Sequence, residues 1–285
     1  MTAALTEFFE GQRPQLRAVA YRMLGSLTEA EDAVQETWLR LARTDTTDVG
    51  NLGGWLTTVV SRVCLDLLRA RRTRREEPLS LHLPDPVVRI VDTPETEALI
   101  ADSVGLALLV VLDRLTPAER IAFVLHDMFG LSFDEIGPIV GRSTGAATQL
   151  ASRARRRVRG SAEPAGDLAG QRVVVDAFLA AAREGDLDGL IAVLDPNVLL
   201  RADNGGPESG EFRGAEVVAR QALSFADPNR HPVPAMVNGG VGVVAVENGR
   251  LFGVASYTIR AGRIAEINIL SDPVRLAGLD VALPS

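Results

Sequence analysis

Five arginines crowd into one short stretch near the middle of the chain, in the run STGAATQLASRARRRVRG between Ser143 and Gly160. The formal net charge of the whole chain is −7, so the sign of this run opposes that of the protein. Each arginine presents a planar guanidinium that binds phosphate or guanine through paired hydrogen bonds. The run is therefore a candidate nucleic-acid contact, although a solvated basic helix end would have the same composition.

A second basic cluster lies in the first third of the chain. It consists of Arg62, Arg69, Arg71, Arg72, Arg74 and Arg75. The segment after it, residues 76–97, is acidic and contains prolines. Two basic clusters on either side of an acidic segment favour nucleic-acid binding over a merely solvated helix face.

Composition excludes several other classes of function. The chain has 285 residues, of which 46% are hydrophobic, and this length predicts two or three globular domains. Its only cysteine, Cys64, rules out an internal disulfide framework and any multi-cysteine zinc site. Lysine is absent, which removes Schiff-base chemistry and a Walker lysine. The start of the chain does not resemble a signal peptide, and the most apolar run, GLALLVVL, is too short for a membrane span. We therefore expect a cytoplasmic protein with no metal, no cofactor and no membrane partner.

The arginine run is positioned by a predicted helix-turn-helix. Thr116 and Glu119 have capping-box spacing and predict a helix that ends at Gly130, and Ser132 and Glu135 repeat this signal for a short second helix. Gly141 then predicts a tight turn before the helix that contains the arginines. Pro138 lies inside the short helix, where we expect a kink because proline lacks a backbone donor.

Helical spacing in the last of these helices separates a buried face from an exposed one. Ala147, Ala151, Ala154 and Val158 should pack inward. The residues predicted to face outward are Thr148, Gln149, Ser152, Arg153 and Arg156. We expect Thr148, Gln149 and Ser152 to reach base edges in a major groove, and the arginines to contact phosphates.

The first third of the chain is helical in pattern. Thr28 and Glu31 have capping-box spacing, and the helix they would begin has an apolar stripe opposite an acidic face that includes Asp32, Gln35 and Glu36. A second helix, WLTTVVSRVCLDLLRARRTRR, ends in the first basic cluster. We interpret residues 76–97, with four prolines, as an irregular linker.

These motifs, in this order, resemble the extracytoplasmic-function sigma factors of the bacterial sigma-70 family. AEDAVQETWLRL is similar to the polymerase-binding helix of sigma region 2, and WLTTVVSRVCLDLLR to its promoter-melting helix. The stretch from Leu115 to Arg156 is similar to region 4, which reads the −35 element. The resemblance implies that core RNA polymerase binds Asp32, Gln35, Glu36 and Trp38. It also implies that promoter DNA contacts Trp55, Arg62 and Arg69.

Several of these residues also have a structural interpretation. Trp38 and Trp55 could each be core anchors instead of contacts. Arg62 stands where many relatives have asparagine, so the resemblance implies no base preference at the −10 element.

The last third of the chain predicts a different kind of domain. Two helices divided by Gly185 precede a strand, NVLLRAD, and a helix from Ala215 to Phe225. Three strand-like runs follow: PAMVNGGVGVVAV, RLFGVASYTIRAG and RIAEINIL. Helices on a curved antiparallel sheet form an α+β fold with a concave face, and this half resembles the cone-shaped SnoaL-like domains. The resemblance leaves room for an unidentified small ligand in its pocket.

Sigma factors with such an extension form a recognised group, and three motifs resemble that group. The counterparts here are HLPDP, DNGG and DPVRL, each in altered form. We hypothesise that the linker, through Leu81, Leu83, Pro84, Asp85 and Pro86, docks on the C-terminal domain and biases a compact, less active state. The docking residues expected there are Asp203, Gly205, Gly206, Asp272, Pro273, Arg275 and Leu276. Alternatively, the two leucines pack on neighbouring sigma helices.

The complete prediction is a multidomain protein: two all-α sigma domains followed by an α+β domain. The predicted boundaries are 1–75 for region 2, 76–97 for the linker, 98–160 for region 4 and 168–285 for the SnoaL-like domain. Two other functions stay open. The C-terminal domain could be an enzyme with Asp203 or His231 as its acid–base group. The whole chain could also be a helix-turn-helix repressor that binds DNA without polymerase.

Overall fold

The computed structural model describes residues 3–45, 49–74, 82–90, 106–158 and 167–283. Contacts divide the chain into two compact units. The first unit contains the described residues up to Arg74 and those from Leu109 to Val158, and the second contains residues 82–90, 106–108 and those from Asp167 onwards. Within the described ranges, no helix combines the length and apolarity of a membrane span.

Three helices form the first part of the first unit: α1 (Ala3–Leu24), α2 (Leu27–Arg43) and α3 (Leu52–Arg74). The predicted start of α2 at Thr28 is wrong. The helix begins two residues earlier because Ser26 caps it, accepting a hydrogen bond from the Glu29 backbone N–H. The carboxylate of Glu29, which would complete the capping box, instead accepts from the Arg71 guanidinium.

The second part of this unit contains the helix-turn-helix. Both predicted capping boxes are confirmed, at Thr116 and at Ser132. The predicted kink does not interrupt the short helix, which continues through Pro138 because the missing N–H removes only one hydrogen bond of its ladder. The elements are α4 (Leu106–Asp113), α5 (Pro117–Phe123), a π-helical turn (Val124–Met128), α6 (Phe133–Val140) and α7 (Thr144–Val158).

The helices of the first unit share an apolar interior, and α3 packs against both α5 and α6. Phe9, Val34, Leu56 and Ile121 are fully buried within this unit. On the outside, the Arg62 guanidinium lies 3.5 Å from the Pro138 carbonyl oxygen. The sigma-like helices of the two halves are therefore in direct contact.

The second unit is a sheet with its three longest helices on one face. Its described strands follow the order β1-β4-β5-β6-β7-β2-β3, and all neighbours are antiparallel except β2 and β7. The strands are β1 (Val88–Ile90), β2 (Leu194–Asp203), β3 (Gly210–Arg213), β4 (Arg230–Val237), β5 (Gly240–Glu247), β6 (Arg250–Arg260) and β7 (Arg263–Leu270). The helices are α8 (Leu168–Glu184), α9 (Leu187–Val193), α10 (Ala215–Phe225) and α11 (Pro273–Leu276).

One face of this sheet packs on the helices. Val175, Phe178, Leu200, Val241 and Tyr257 belong to that shared core. Successive side chains of a strand point to opposite faces, so Arg201 and Asp203 of β2 lie on the face opposite to Leu200.

Three expectations for this domain need correction. The run PAMVNGGVGVVAV is not one strand but the hairpin of β4 and β5, turned at Asn238 and Gly239, both of which have positive φ. Strand β3 was not predicted, because GEFR is short and half-exposed. Residues 88–90 of the predicted irregular linker form a strand, paired with Ala235–Val237 of β4.

Candidate functional site

The helix-turn-helix presents one exposed face of α7. Gly141, with φ +68°, ends α6 in the left-handed conformation, and a Cβ at Gly137 would lie 2.8 Å from the Arg142 carbonyl oxygen. These two glycines allow the turn to close tightly against α7. The inward alanines and Val158 are buried, as predicted. The exposed residues are Thr148, Gln149, Ser152, Arg153 and Arg156.

Several arginines of this run are paired inside the unit. The buried Glu119 carboxylate accepts hydrogen bonds from Arg153 (3.1 Å) and Arg157 (2.7 Å). Arg155 contacts Asp127. Burial alone would raise the pKa of Glu119, but hydrogen bonds from Thr116 and the charges of Arg157 and Arg153 more than offset it, so this pKa lies below its usual value. Glu119 therefore orients part of the basic run.

Three residues assigned to promoter contact share one face of α3, since Trp55, Arg62 and Arg69 are seven residues apart. Both arginines are exposed, and Trp55 is half-buried. The Asn51 side chain caps the start of this helix by accepting a hydrogen bond from the Gly54 N–H. The face is thus an aromatic and cationic strip of the kind that suits single-stranded DNA.

The acidic face of α2 is accessible. Asp32 and Gln35 are exposed, and Glu36 forms an ion pair with Arg40 one turn later. Trp38 is half-buried and packs against Phe9, with ring centroids 4.8 Å apart.

Sequence reasoning missed a neighbour of this face. Leu39 is 40% exposed and follows Gln35 by one helical turn. The signal was an apolar residue lying off the buried stripe of α2. A single exposed leucine does not by itself mark a binding surface, but Leu39 would be covered by any partner that binds this acidic face.

A second site, far from these helices in sequence, holds the linker segment. The Arg275 guanidinium bonds both Asp85, at 2.9 Å from Nε, and Asp203, at 2.6 Å from Nη1, and also donates to the Leu83 carbonyl oxygen. Both carboxylates are buried, and the Arg275 side chain is only 14% exposed. We call Asp85, Asp203 and Arg275 the linker site.

Backbone contacts extend this attachment along the linker. The Leu83 N–H donates to Asp203 Oδ2 at 2.8 Å. Val87 and Asn238 exchange two hydrogen bonds of 2.8 Å each, and β1 follows directly. Leu83, Pro84 and Pro86 are buried. Leu81 lies outside the described residues.

Two turns shape the C-terminal side of the linker site. Asp203 accepts from the Gly205 N–H, and the Gly206 N–H donates to Asn204. Gly205 has φ +73°, and a Cβ there would lie 2.6 Å from the Asp272 carboxyl carbon. Asp272 in turn caps α11, the short helix that begins at Pro273, contains Arg275 and ends at the buried Leu276. Gly205 is thus required for the close approach of these two turns.

The acid–base candidates do not form a catalytic pair. Asp203 is occupied by the linker N–H and by Arg275, while His231 is exposed on β4 opposite Val246. Neither residue has the arrangement that a general acid–base needs, which is a titratable group facing an open substrate site.

Two family models match separate parts of the helical half of the chain. The model named Sigma-70 region 2 matches residues 8–74, and the model named Sigma-70, region 4 matches residues 105–158. The first match covers α1 to α3, and the second covers the helix-turn-helix.

Full-length relatives cover the C-terminal domain as well. The probable ECF RNA polymerase sigma factor SigI of Mycobacterium tuberculosis is 39% identical over 285 residues, 96% of each chain. The ECF RNA polymerase sigma factor SigJ of the same species is 39% identical and covers 97% of this chain and 91% of its own. The crystal structure of SigJ superposes with a TM-score of 0.74 at 33% identity, covering 98% of this chain and 100% of that one.

Proposed function

Because the chain belongs to the extracytoplasmic-function sigma factors, which direct core RNA polymerase to promoters, we propose that its C-terminal domain modulates this activity by binding the linker. Membership of this family makes the protein a non-enzymatic initiation factor. It also confirms the predicted fold class of two helical sigma domains followed by a domain with a sheet. The repressor alternative is set aside, since both sigma regions are present.

The promoter contacts that we propose follow from exposure and residue type. Thr148, Gln149 and Ser152 on α7 reach base edges of the −35 element, and Arg156 beside them contacts phosphate. Arg153 joins Arg156 when its pairing with Glu119 is exchanged for pairing with phosphate. Trp55, Arg62 and Arg69 on α3 contact the displaced strand at the −10 element.

The polymerase surface that we propose is the acidic face of α2, with Leu39 added. Changing Asp32 to arginine reverses one exposed charge without disturbing the buried stripe, so core polymerase should bind at least about tenfold more weakly because charge complementarity is lost. Pull-down with purified core polymerase measures this. The matched control is Glu7→Arg, an exposed reversal on α1. Equal binding by the two variants would rule out this surface.

The linker site is the observation that supports regulation. A sigma factor must place two DNA-binding domains at separated promoter elements, and the linker joins α3 to α4. Residues 83–90 of that connection are attached to the C-terminal domain by an ion-pair network and a strand pairing. While the linker is attached, the two DNA-binding domains cannot separate freely. The arrangement that binds both promoter elements is therefore less populated.

Truncation tests this proposal directly. A chain ending at Leu270 lacks α11 and therefore Arg275, and it should give more run-off transcript with purified core polymerase than the full chain. A chain ending at Leu279 keeps α11 and should behave as the full chain does. Equal transcript from both truncated chains and the intact one would contradict regulation through the linker.

A small ligand in the C-terminal domain is a further part of the proposal. The site we favour is the polar row of Arg201, Ser256 and Asn268, three neighbours in the sheet register that are all buried. Asn268 Nδ2 is buried there without a hydrogen-bond partner. Native mass spectrometry of the freshly purified chain tests for a retained ligand, with Asn268→Leu as the comparison.

A further inference from the structure

The first unit contains a cavity between α3 and the α4–α5 segment. Its volume is about 270 Å³. Arg71 and Arg72 of α3 line one side, and Asp113, Arg114 and Arg120 line the other. We call this the arginine pocket. Four arginines and one aspartate thus line a space large enough for a small molecule.

Arg120 is the unusual member of this set. It is 1% exposed, and among the described residues its only hydrogen-bonded partner is Asp113, 3.1 Å from Nη1. Its Nε and Nη2 atoms are buried with no hydrogen-bond partner. Buried polar groups are almost always hydrogen-bonded, because an unpaired donor loses the bonds it would make to water. Two donors of one buried guanidinium therefore call for an acceptor.

The charges around Arg120 lead to the same conclusion. Burial lowers the pKa of Arg120 to about 10; the Asp113 carboxylate opposes that shift, and the nearby charge of Arg71 adds to it. Arg71 is itself engaged with Glu29 and the Leu24 carbonyl oxygen, so it forms a fixed wall of the pocket. Arg72 and Arg114 are exposed at the rim. An anion in the cavity would be attracted by the guanidinium groups of Arg72 and Arg120.

We propose that the arginine pocket binds a small phosphorylated anion. Guanidinium groups bind phosphate oxygens through paired, charge-assisted hydrogen bonds, and the pocket supplies both buried and rim guanidiniums. The cavity lies just below the volume range of pockets for drug-sized ligands, which favours an anion of the size of phosphate or pyrophosphate. DNA could supply the same phosphate chemistry, so the experiment below separates the two sources.

Calorimetric titration of the full chain tests this inference without polymerase, so its outcome is independent of the proposed regulation. Sodium pyrophosphate and inorganic phosphate are titrated separately at constant ionic strength, because screening alone alters weak ion pairs. We expect saturable binding of pyrophosphate, with Arg72→Ala and Arg114→Ala each weakening it by about tenfold or more. Arg43→Ala is the control, since it removes one exposed arginine of the first unit that lies outside the pocket and outside the proposed contacts.

Three results would overturn the proposal. The first is the absence of saturable heat with either anion. The second is an equal loss of binding in Arg43→Ala, which would indicate a general charge effect. The third is that Arg72→Ala and Arg114→Ala weaken binding of a duplex oligonucleotide but not of pyrophosphate, which would make them DNA contacts. Arg120→Met should abolish anion binding, and the two rim variants decide the question if that variant does not fold.

Discussion

Replacing Arg275 with methionine should release the linker and raise run-off transcription. The change removes the cation that pairs with both the Asp85 and the Asp203 carboxylates in a buried network. Breaking a buried ion pair by removing one partner costs about 3–5 kcal/mol. Roughly two to four powers of ten in the docking equilibrium would be lost, because each 1.4 kcal/mol is tenfold.

Hydrogen exchange measures this release at the residues concerned. The amide protons of Leu83 and Val87 are bonded to Asp203 and Asn238, so both should exchange much faster in the Arg275→Met variant. Arg263→Met is the control, since it removes an exposed arginine of the same domain at the start of β7. Unaltered exchange at both amides in Arg275→Met would mean that the linker site does not hold the linker.

Glu119→Gln should destabilise the helix-turn-helix by about 1.5–3 kcal/mol, the range for hydrogen bonds to charged groups. The lower figure is the better expectation, because Arg153 and Arg157 are half-exposed and screened by water. The carboxylate accepts hydrogen bonds from Thr116 as well as from both arginines, and a neutral amide cannot replace them all. Denaturant dependence of hydrogen exchange in α5 to α7 measures the loss.

The same substitution predicts a dependence on pH. The pKa of Glu119 is lower in the folded protein than its ordinary value of about 4.5, so the carboxylate stabilises the fold fully above that value. This stabilisation is lost as the pH falls through the lower folded pKa. The difference between Glu119→Gln and the natural chain should therefore be constant near neutral pH and shrink below about pH 4.5.

Glu135→Gln is a matched comparison, since it alters the second capping box, which is exposed and has no arginine on it. It should destabilise the chain less. An equal loss of stability from both substitutions would show that the pairing of Glu119 with its arginines contributes nothing to stability.

Local patterns predicted most of the helices because their signals lie within a few residues. Ser132 with Glu135 identifies the start of α6, and the spacing of the alanines identifies the buried face of α7. The same local reasoning misplaced the start of α2. There the carboxylate of Glu29 pairs with Arg71, 42 residues away, instead of completing a capping box.

Long-range pairing was beyond such patterns. Arg275 and Asp85 are separated by 190 residues, and the resemblance rather than any spacing suggested that they meet. Residues 88–90 form a strand because they pair with the edge of β4. The sequence VRI alone does not distinguish a strand from a loop. The arginine pocket was likewise invisible, since its arginines come from α3, from α5 and from the turn before α5, whose packing the sequence does not reveal.

The strand formed by residues 88–90 also closes an edge of the sheet. Among the described residues it pairs with β4 at Ala235–Val237, and the rest of β4 contains Pro232 and Pro234, which lack the N–H that another strand would need. Release of the linker would leave a short open edge on which a second chain could add a strand. Release of the linker would therefore free the sigma domains and expose this edge of the sheet at the same time. A chain with a released linker should self-associate more readily.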